Sequence, residues 1–154
     1  MSKKISTIFL SLFLIGILSV SCSNADKTGA GDGNSTVDNS KGIEQFNGNT
    51  YVSKDSFDVS SVIPGLTTAY LWVSVKDGKI ATLPNNNNNT APVFEGRYMT
   101  GPITGSGTDY TFDAGDGKTK GTLKFSDTSV TVIFTKNTVM PSFENKDIVC
   151  NIKK

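Results

Sequence analysis

Ala69, Leu71, Val73 and Val75 alternate with Tyr70, Trp72 and Ser74, and this period of two constrains the fold more than any other feature of the chain. Successive side chains of a strand point to opposite faces, so one face of this stretch is aliphatic and the other aromatic and polar. Lys76-Asp77-Gly78-Lys79 follows, and Asp-Gly between alternating runs predicts a tight hairpin that returns through Ile80 to Leu83. Val93 to Met99 alternates again, with Phe94, Gly96 and Tyr98 on one side and Glu95 and Arg97 on the other. Tyr110 and Phe112 sit two apart. Thr119 to Phe125 and Ser129 to Thr135 read as a second hairpin across Ser126-Asp127-Thr128, and Ile148, Cys150 and Ile152 form the apolar face of a last strand. From Ile43 onward no stretch keeps a helical period beyond a turn or two; Asp55 to Val62 is the best place for a short helix. The pattern predicts an all-β domain: a single antiparallel meander of seven to eight strands, closed or partly closed into a barrel, with a β-sandwich as the alternative.

The N-terminal segment has a different composition. Lys3 and Lys4 precede an apolar run from Ile8 to Leu18, and Ser19-Val20-Ser21 stand before Cys22. A basic start, a short apolar run and small residues describe an export signal, and the run is too short for a spanning helix of roughly 20 residues. The cysteine after the small residues resembles the lipobox of bacterial lipoproteins, with Leu18 one residue further back than the leucine of that pattern. The resemblance implies a signal peptide over 1–21 and lipid on Cys22. It also implies a place in the cell envelope, anchored to a membrane and most simply the outer one. Two or more acyl chains make a stable anchor where one is marginal. Residues 22–42 are rich in Ser, Asn, Asp and Gly and nearly free of apolar side chains, which predicts a flexible tether spanning about 25 Å. The β-domain is then 43–154.

Composition removes several function classes. The chain has no histidine, which excludes His-based catalysis and His-ligated zinc. With Cys22 taken by lipid, Cys150 is alone, and its phase with Ile148 and Ile152 predicts a buried thiol. The formal charge is +1, and it becomes −1 once Lys3 and Lys4 leave with the signal, so no basic surface points to nucleic acid. Gly117-Lys118-Thr119 mimics the end of a phosphate-binding loop, but Phe112 stands where its first glycine belongs. Asp109, Asp113 and Asp116 lack the ligand spacing of a calcium loop, because Gly115 and Gly117 fall at ligand positions. Glu44, Glu95 and Glu144 are isolated, so no carboxylate pair suggests a hydrolase. The expectation is a binding protein, not an enzyme, without metal or cofactor.

The aromatics carry the candidate site. Tyr70 with Trp72, Phe94 with Tyr98 and Tyr110 with Phe112 each share a strand face. If those faces point into a hollow barrel they line an apolar pocket; if the barrel is filled they are its core. Phe46-Asn47-Gly48-Asn49-Thr50-Tyr51, leading into consecutive hairpins, resembles the opening of small bacterial lipocalin-like barrels, with Tyr51 in place of the usual tryptophan. That resemblance implies a small apolar ligand. Ser106-Gly107-Thr108-Asp109-Tyr110, followed by Lys120-Gly121, is similar to the signature of membrane-bound inhibitors of C-type lysozyme, without their tryptophan or disulfide. It implies protein–protein contact by a loop inserted into an active-site cleft.

Overall fold

The computed structural model describes residues 37–154. Among them nine strands form one antiparallel sheet: β1 (Thr50–Ser53), β2 (Phe57–Asp58), β3 (Thr68–Lys76), β4 (Lys79–Asn85), β5 (Ile103–Ser106), β6 (Asp109–Asp113), β7 (Thr119–Phe125), β8 (Ser129–Asn137) and β9 (Ile148–Ile152). The lateral order runs β4-β3-β1-β9-β8-β7-β6-β5, and β2 continues the line of β1 beside the start of β3. The last strand therefore lies between the first strand and β8, which ties the two ends of the domain together. The expectation of an all-β domain holds; the sheet is not closed, which fits a partly closed barrel or a sandwich, and β4 and β5 are its two edges. The connection between them reaches across by single bonds, Met99 N–H to the Ile80 carbonyl at 2.8 Å and Asp113 N–H to the Pro102 carbonyl at 3.1 Å.

The hairpins form where the turn residues permit them. Asp77 and Gly78 both take positive φ, 51° and 69°, the turn whose twist matches paired strands. Trp72, Val73 and Ser74 each pair with β1 on one side and β4 on the other. On β7, Gly121 has no Cβ because the Phe112 ring lies over it; a Cβ there would come within 2.7 Å of that ring and 2.3 Å of the Ile133 carbonyl.

The interior is filled. Leu71, Val73, Val75, Ile80, Leu123, Val130, Val132 and Ile148 point inward from the sheet. A short 3₁₀ turn, Ile43–Phe46, closes one end, where Phe46 stacks on Phe125 with ring centroids 4.0 Å apart. A second, Pro141–Phe143, closes the other, where Phe143 meets Phe57 at 4.7 Å and Phe134 at 6.1 Å.

Three local expectations are corrected. Asp55 to Val62 is not a helix: β2 takes Phe57–Asp58, and the Asp58 carboxylate accepts the Ser60 N–H and sets a turn that Pro64 ends. Val93 to Met99 is not a strand: it turns at Phe94–Arg97 with Gly96 at φ 68°. The tether was read through Gly42, yet Val37 packs on the core, and the Lys41 carbonyl accepts from the Gly107 N–H (3.0 Å) and the Tyr110 hydroxyl (3.2 Å). A chain beginning at Ile43 should therefore be about 1–2 kcal/mol less stable than one beginning at Val37, a loss of roughly 5 °C in Tm. Equal melting curves would show that the 37–42 contacts contribute nothing.

Cys150 is buried as expected, its Sγ 3.8 Å from the carbonyls of Leu71 and Ile148. Burial pushes the thiol up to about 12 from an ordinary 9.0. The neutral thiol's stabilisation is thus complete below pH 9 and lost as pH rises toward 12. Tyr51, also raised by burial, loses stability in the same direction. Cys150→Ala should flatten the alkaline fall of stability by one proton, read as urea midpoints near neutrality and at about pH 10.5. An unchanged alkaline slope would place the titration elsewhere.

Candidate functional site

The six aromatic candidates divide between two sides of the sheet. Tyr110 and Phe112 point inward. Tyr110 meets Phe125 at 5.8 Å and Phe112 meets Phe134 at 5.8 Å, both edge to face. They fill the barrel. Trp72 is also fully buried, but on the opposite face, outside the main core. Tyr70 lies half-buried on the same outer face of β3.

Trp72 is buried because the connection after β4 folds back over it. Its indole Nε1 donates to the Asn87 carbonyl at 2.8 Å. The Ser74 and Tyr98 hydroxyls share a hydrogen bond of 3.0 Å, and Phe94 packs beside Tyr98 with centroids 6.4 Å apart. Register places Val52 and Leu83 on either side of Trp72, and Ala81 beside Ser74. Tyr70 and Trp72 of β3 and Phe94 and Tyr98 of the connection thus lie on the same outer side of the sheet, apart from the main core, with residues 86–98 as a roof over Trp72.

The asparagine run is the part of this site that the sequence did not reveal. Asn87 acts through its backbone carbonyl on Trp72, and its side-chain oxygen accepts the N–H groups of Asn89 (3.1 Å) and Thr90 (2.9 Å), which fixes the turn. A strand tryptophan opposite an aliphatic stripe, followed by a long polar connection, is the signal from which such a roof could have been inferred. Beside the roof opens a cleft of about 340 Å³ whose lining includes Lys76, Lys79, Glu95, Tyr98 and Thr100.

The other singled-out residues have structural partners. Ser106 and Asp109 close the β5–β6 hairpin. The single Tyr110 hydroxyl proton is shared between the Gly107 carbonyl at 3.0 Å and the Lys41 carbonyl at 3.2 Å, and the oxygen accepts from the Gln45 amide at 3.3 Å, so it pins the hairpin tip to the first 3₁₀ turn. Lys120 pairs with Asp113 at 2.7 Å, and its hydrogen bond holds that carboxyl below the ordinary range. The Asp116 carboxylate accepts the Lys118 and Thr119 N–H groups, which builds the turn after β6 and lowers its pKa. On the outer face of β5–β8, Thr104, Thr111, Thr122 and Ile133 form one cross-strand row along a shallow groove of about 530 Å³.

Compared with known protein families, curated proteins and solved structures, the chain has no significant match. Cys22, the lipidation candidate, lies outside the described residues. Among the described residues no helix is long and apolar enough to cross a membrane.

Truncating Trp72 to alanine should cost about 3–5 kcal/mol through the cavity left under the roof. Asn87→Ala should cost about 1 kcal/mol by releasing two backbone N–H groups, whereas Asn86→Ala should change little. Urea midpoints check all three. Equal effects at Asn86 and Asn87 would mean that the turn geometry does not matter to the roof.

Proposed function

We propose that this chain is a cell-envelope lipoprotein, anchored through lipid on Cys22, whose β-domain works by binding and not by catalysis. The signal-like residues before Cys22 support the anchor. The observation that carries the binding reading is the aromatic layer on the outside of the barrel, Trp72 with Tyr70, Phe94 and Tyr98. The interior is occupied by side chains, so the reading moves from a ligand held inside a hollow barrel to a small apolar ligand or an envelope partner met at the surface.

One observation favours a second reading, inhibition of lysozyme by contact. The tip Ser106–Asp109, exposed at Ser106 and Asp109 and buried at Gly107, is held by the Tyr110, Gln45 and Lys41 contacts, and a loop that inserts into a cleft would need to be held so. Titrating the protein against C-type lysozyme activity separates the two; stoichiometric inhibition would favour the second.

The anchor is tested by replacing Cys22. Membrane fractions from cells expressing the unaltered chain should contain the protein with Cys22 as N-terminus and acyl mass by mass spectrometry. Cys22→Ala should shift it away from that acylated form. An unmodified N-terminus at Ser23 would overturn the anchor.

A further inference from the structure

The outer face of the β3–β4 hairpin is graded from apolar to cationic. Tyr70, Trp72, Ser74 and Lys76 follow one another on β3, and Asn85, Leu83, Ala81 and Lys79 face them in register on β4. Lys76 and Lys79 stand directly opposite each other, an unfavourable pairing of like charges unless an anion lies between or beside them. From Lys76 to Tyr70 the stripe is about 20 Å long.

The roof meets this stripe with matching chemistry at each step. Glu95 sets a carboxylate 3.8 Å from the Lys76 ammonium. Tyr98 supplies a hydroxyl to Ser74, with Phe94 as apolar body beside it. The Asn87 carbonyl accepts the Trp72 N–H. Its ionic hold on the stripe is slight. The Glu95 and Lys76 side chains are 84% and 54% exposed, so their attraction is largely screened by water. The roof's run from Asn86 to Thr90 is wholly polar, and its largest aliphatic residue, Val93, is 82% exposed and faces away from the layer below. The segment buries Trp72 through Phe94, Tyr98 and two hydrogen bonds, while its asparagine run and Val93 add little apolar contact.

We propose that residues 86–98 are a displaceable cover standing in for a ligand, and that the uncovered stripe takes a single-chain amphiphile with an acidic head. The carboxylate replaces that of Glu95 at Lys76 and Lys79, and the acyl chain runs along Ala81, Leu83 and Trp72 toward Tyr70. This deepens the binding reading above and rests on it, but it does not depend on the lipid anchor. Because the cover competes with the ligand, the observed affinity is the intrinsic one reduced by the fraction of protein that is open. Loosening the cover should therefore tighten binding.

Trp72 is the chain's single tryptophan and reports the event directly. The full-chain protein, in phosphatidylcholine vesicles, is titrated with 11-bromoundecanoate, whose bromine quenches a tryptophan only on contact, and with its uncharged methyl ester. The acid should quench Trp72 saturably and the ester much more weakly. Lys76→Gln with Lys79→Gln should weaken the acid about tenfold or more and leave the ester unchanged. Tyr98→Phe, which removes the Ser74 hydrogen bond but keeps the ring, should tighten the acid about threefold to tenfold. A merely structural role for Tyr98 would lower the melting temperature without tightening binding. Absence of quenching in both the unaltered protein and Tyr98→Phe overturns the proposal. So does equal quenching by acid and ester, which would mark non-specific apolar contact. Equal quenching by vesicles of brominated phosphatidylcholine without added acid would show that the stripe meets the bilayer itself, and also overturns it. Loss of acylation at Cys22 would leave all these outcomes unchanged, so the two readings fail separately.

Discussion

From Leu71 to Val75, β3 is buried on both faces, and most of the architecture follows from that constraint. A strand buried on both faces needs apolar partners above and below as well as hydrogen-bonded neighbours on each side. β1 and β4 supply the neighbours, and the curled sheet covers the inner face. The outer face has no second sheet to pack on, so the chain covers it with residues 86–98. The long connection between β4 and β5 is long because it does this work, and it also spans the gap where the sheet fails to close.

That gap is managed at the level of single groups. Pro84 has no N–H to leave exposed on the β4 edge, and the Ile80 carbonyl is taken by Met99. At the other edge, Gly105 takes φ 138°, because a Cβ would come within 2.1 Å of the Asp109 carbonyl. β5 is also only four residues long, a short edge that makes a poor template for another strand. Inside, the rings of Phe46, Phe125, Phe112, Phe134 and Phe143 run from one 3₁₀ plug to the other. Aromatic side chains of this bulk consume the space that a hollow barrel would offer a ligand.

The strands legible in the sequence are those whose two faces differ clearly. On β6, Tyr110 and Phe112 alternate with Asp109, Thr111 and Asp113, so their inward direction follows from polarity alone. The same holds for Val130, Val132 and Phe134 on β8, and for Cys150 between Ile148 and Ile152 on β9. On β3 both faces are apolar, and periodicity cannot say which one meets the main core. Trp72 was therefore grouped with Tyr110 and Phe112, although the sheet separates them. Val93 to Met99 alternates like a strand, but β4 offers a neighbour only the groups near Ile80, so the pattern is spent on a turn that buries Phe94 and Tyr98 instead. The ordering of Val37–Gly42 was hidden for another reason: its anchor is a backbone carbonyl, that of Lys41, and composition does not report carbonyls.

The candidate site and the N-terminal segment meet at one end of the barrel. The Gly78 N–H, in the turn that joins Lys76 to Lys79, donates to the Asn47 side chain, and a Cβ on Gly78 would come within 2.8 Å of Glu44. Residues 44–47 therefore lie against the turn at the cationic end of the β3–β4 stripe. An acidic amphiphile leaving a bilayer would meet Lys76 and Lys79 first, where among the described residues the carboxylates of Asp77, Glu95 and, beside the Gly78 turn, Glu44 compete with it. Its acyl chain would then have to displace the Tyr98 and Asn87 contacts in turn. Head recognition before chain burial gives selectivity for an acid over a neutral lipid at the step where the cover is still closed. With residues 86–98 over it, Trp72 does not stand exposed as a site of aggregation.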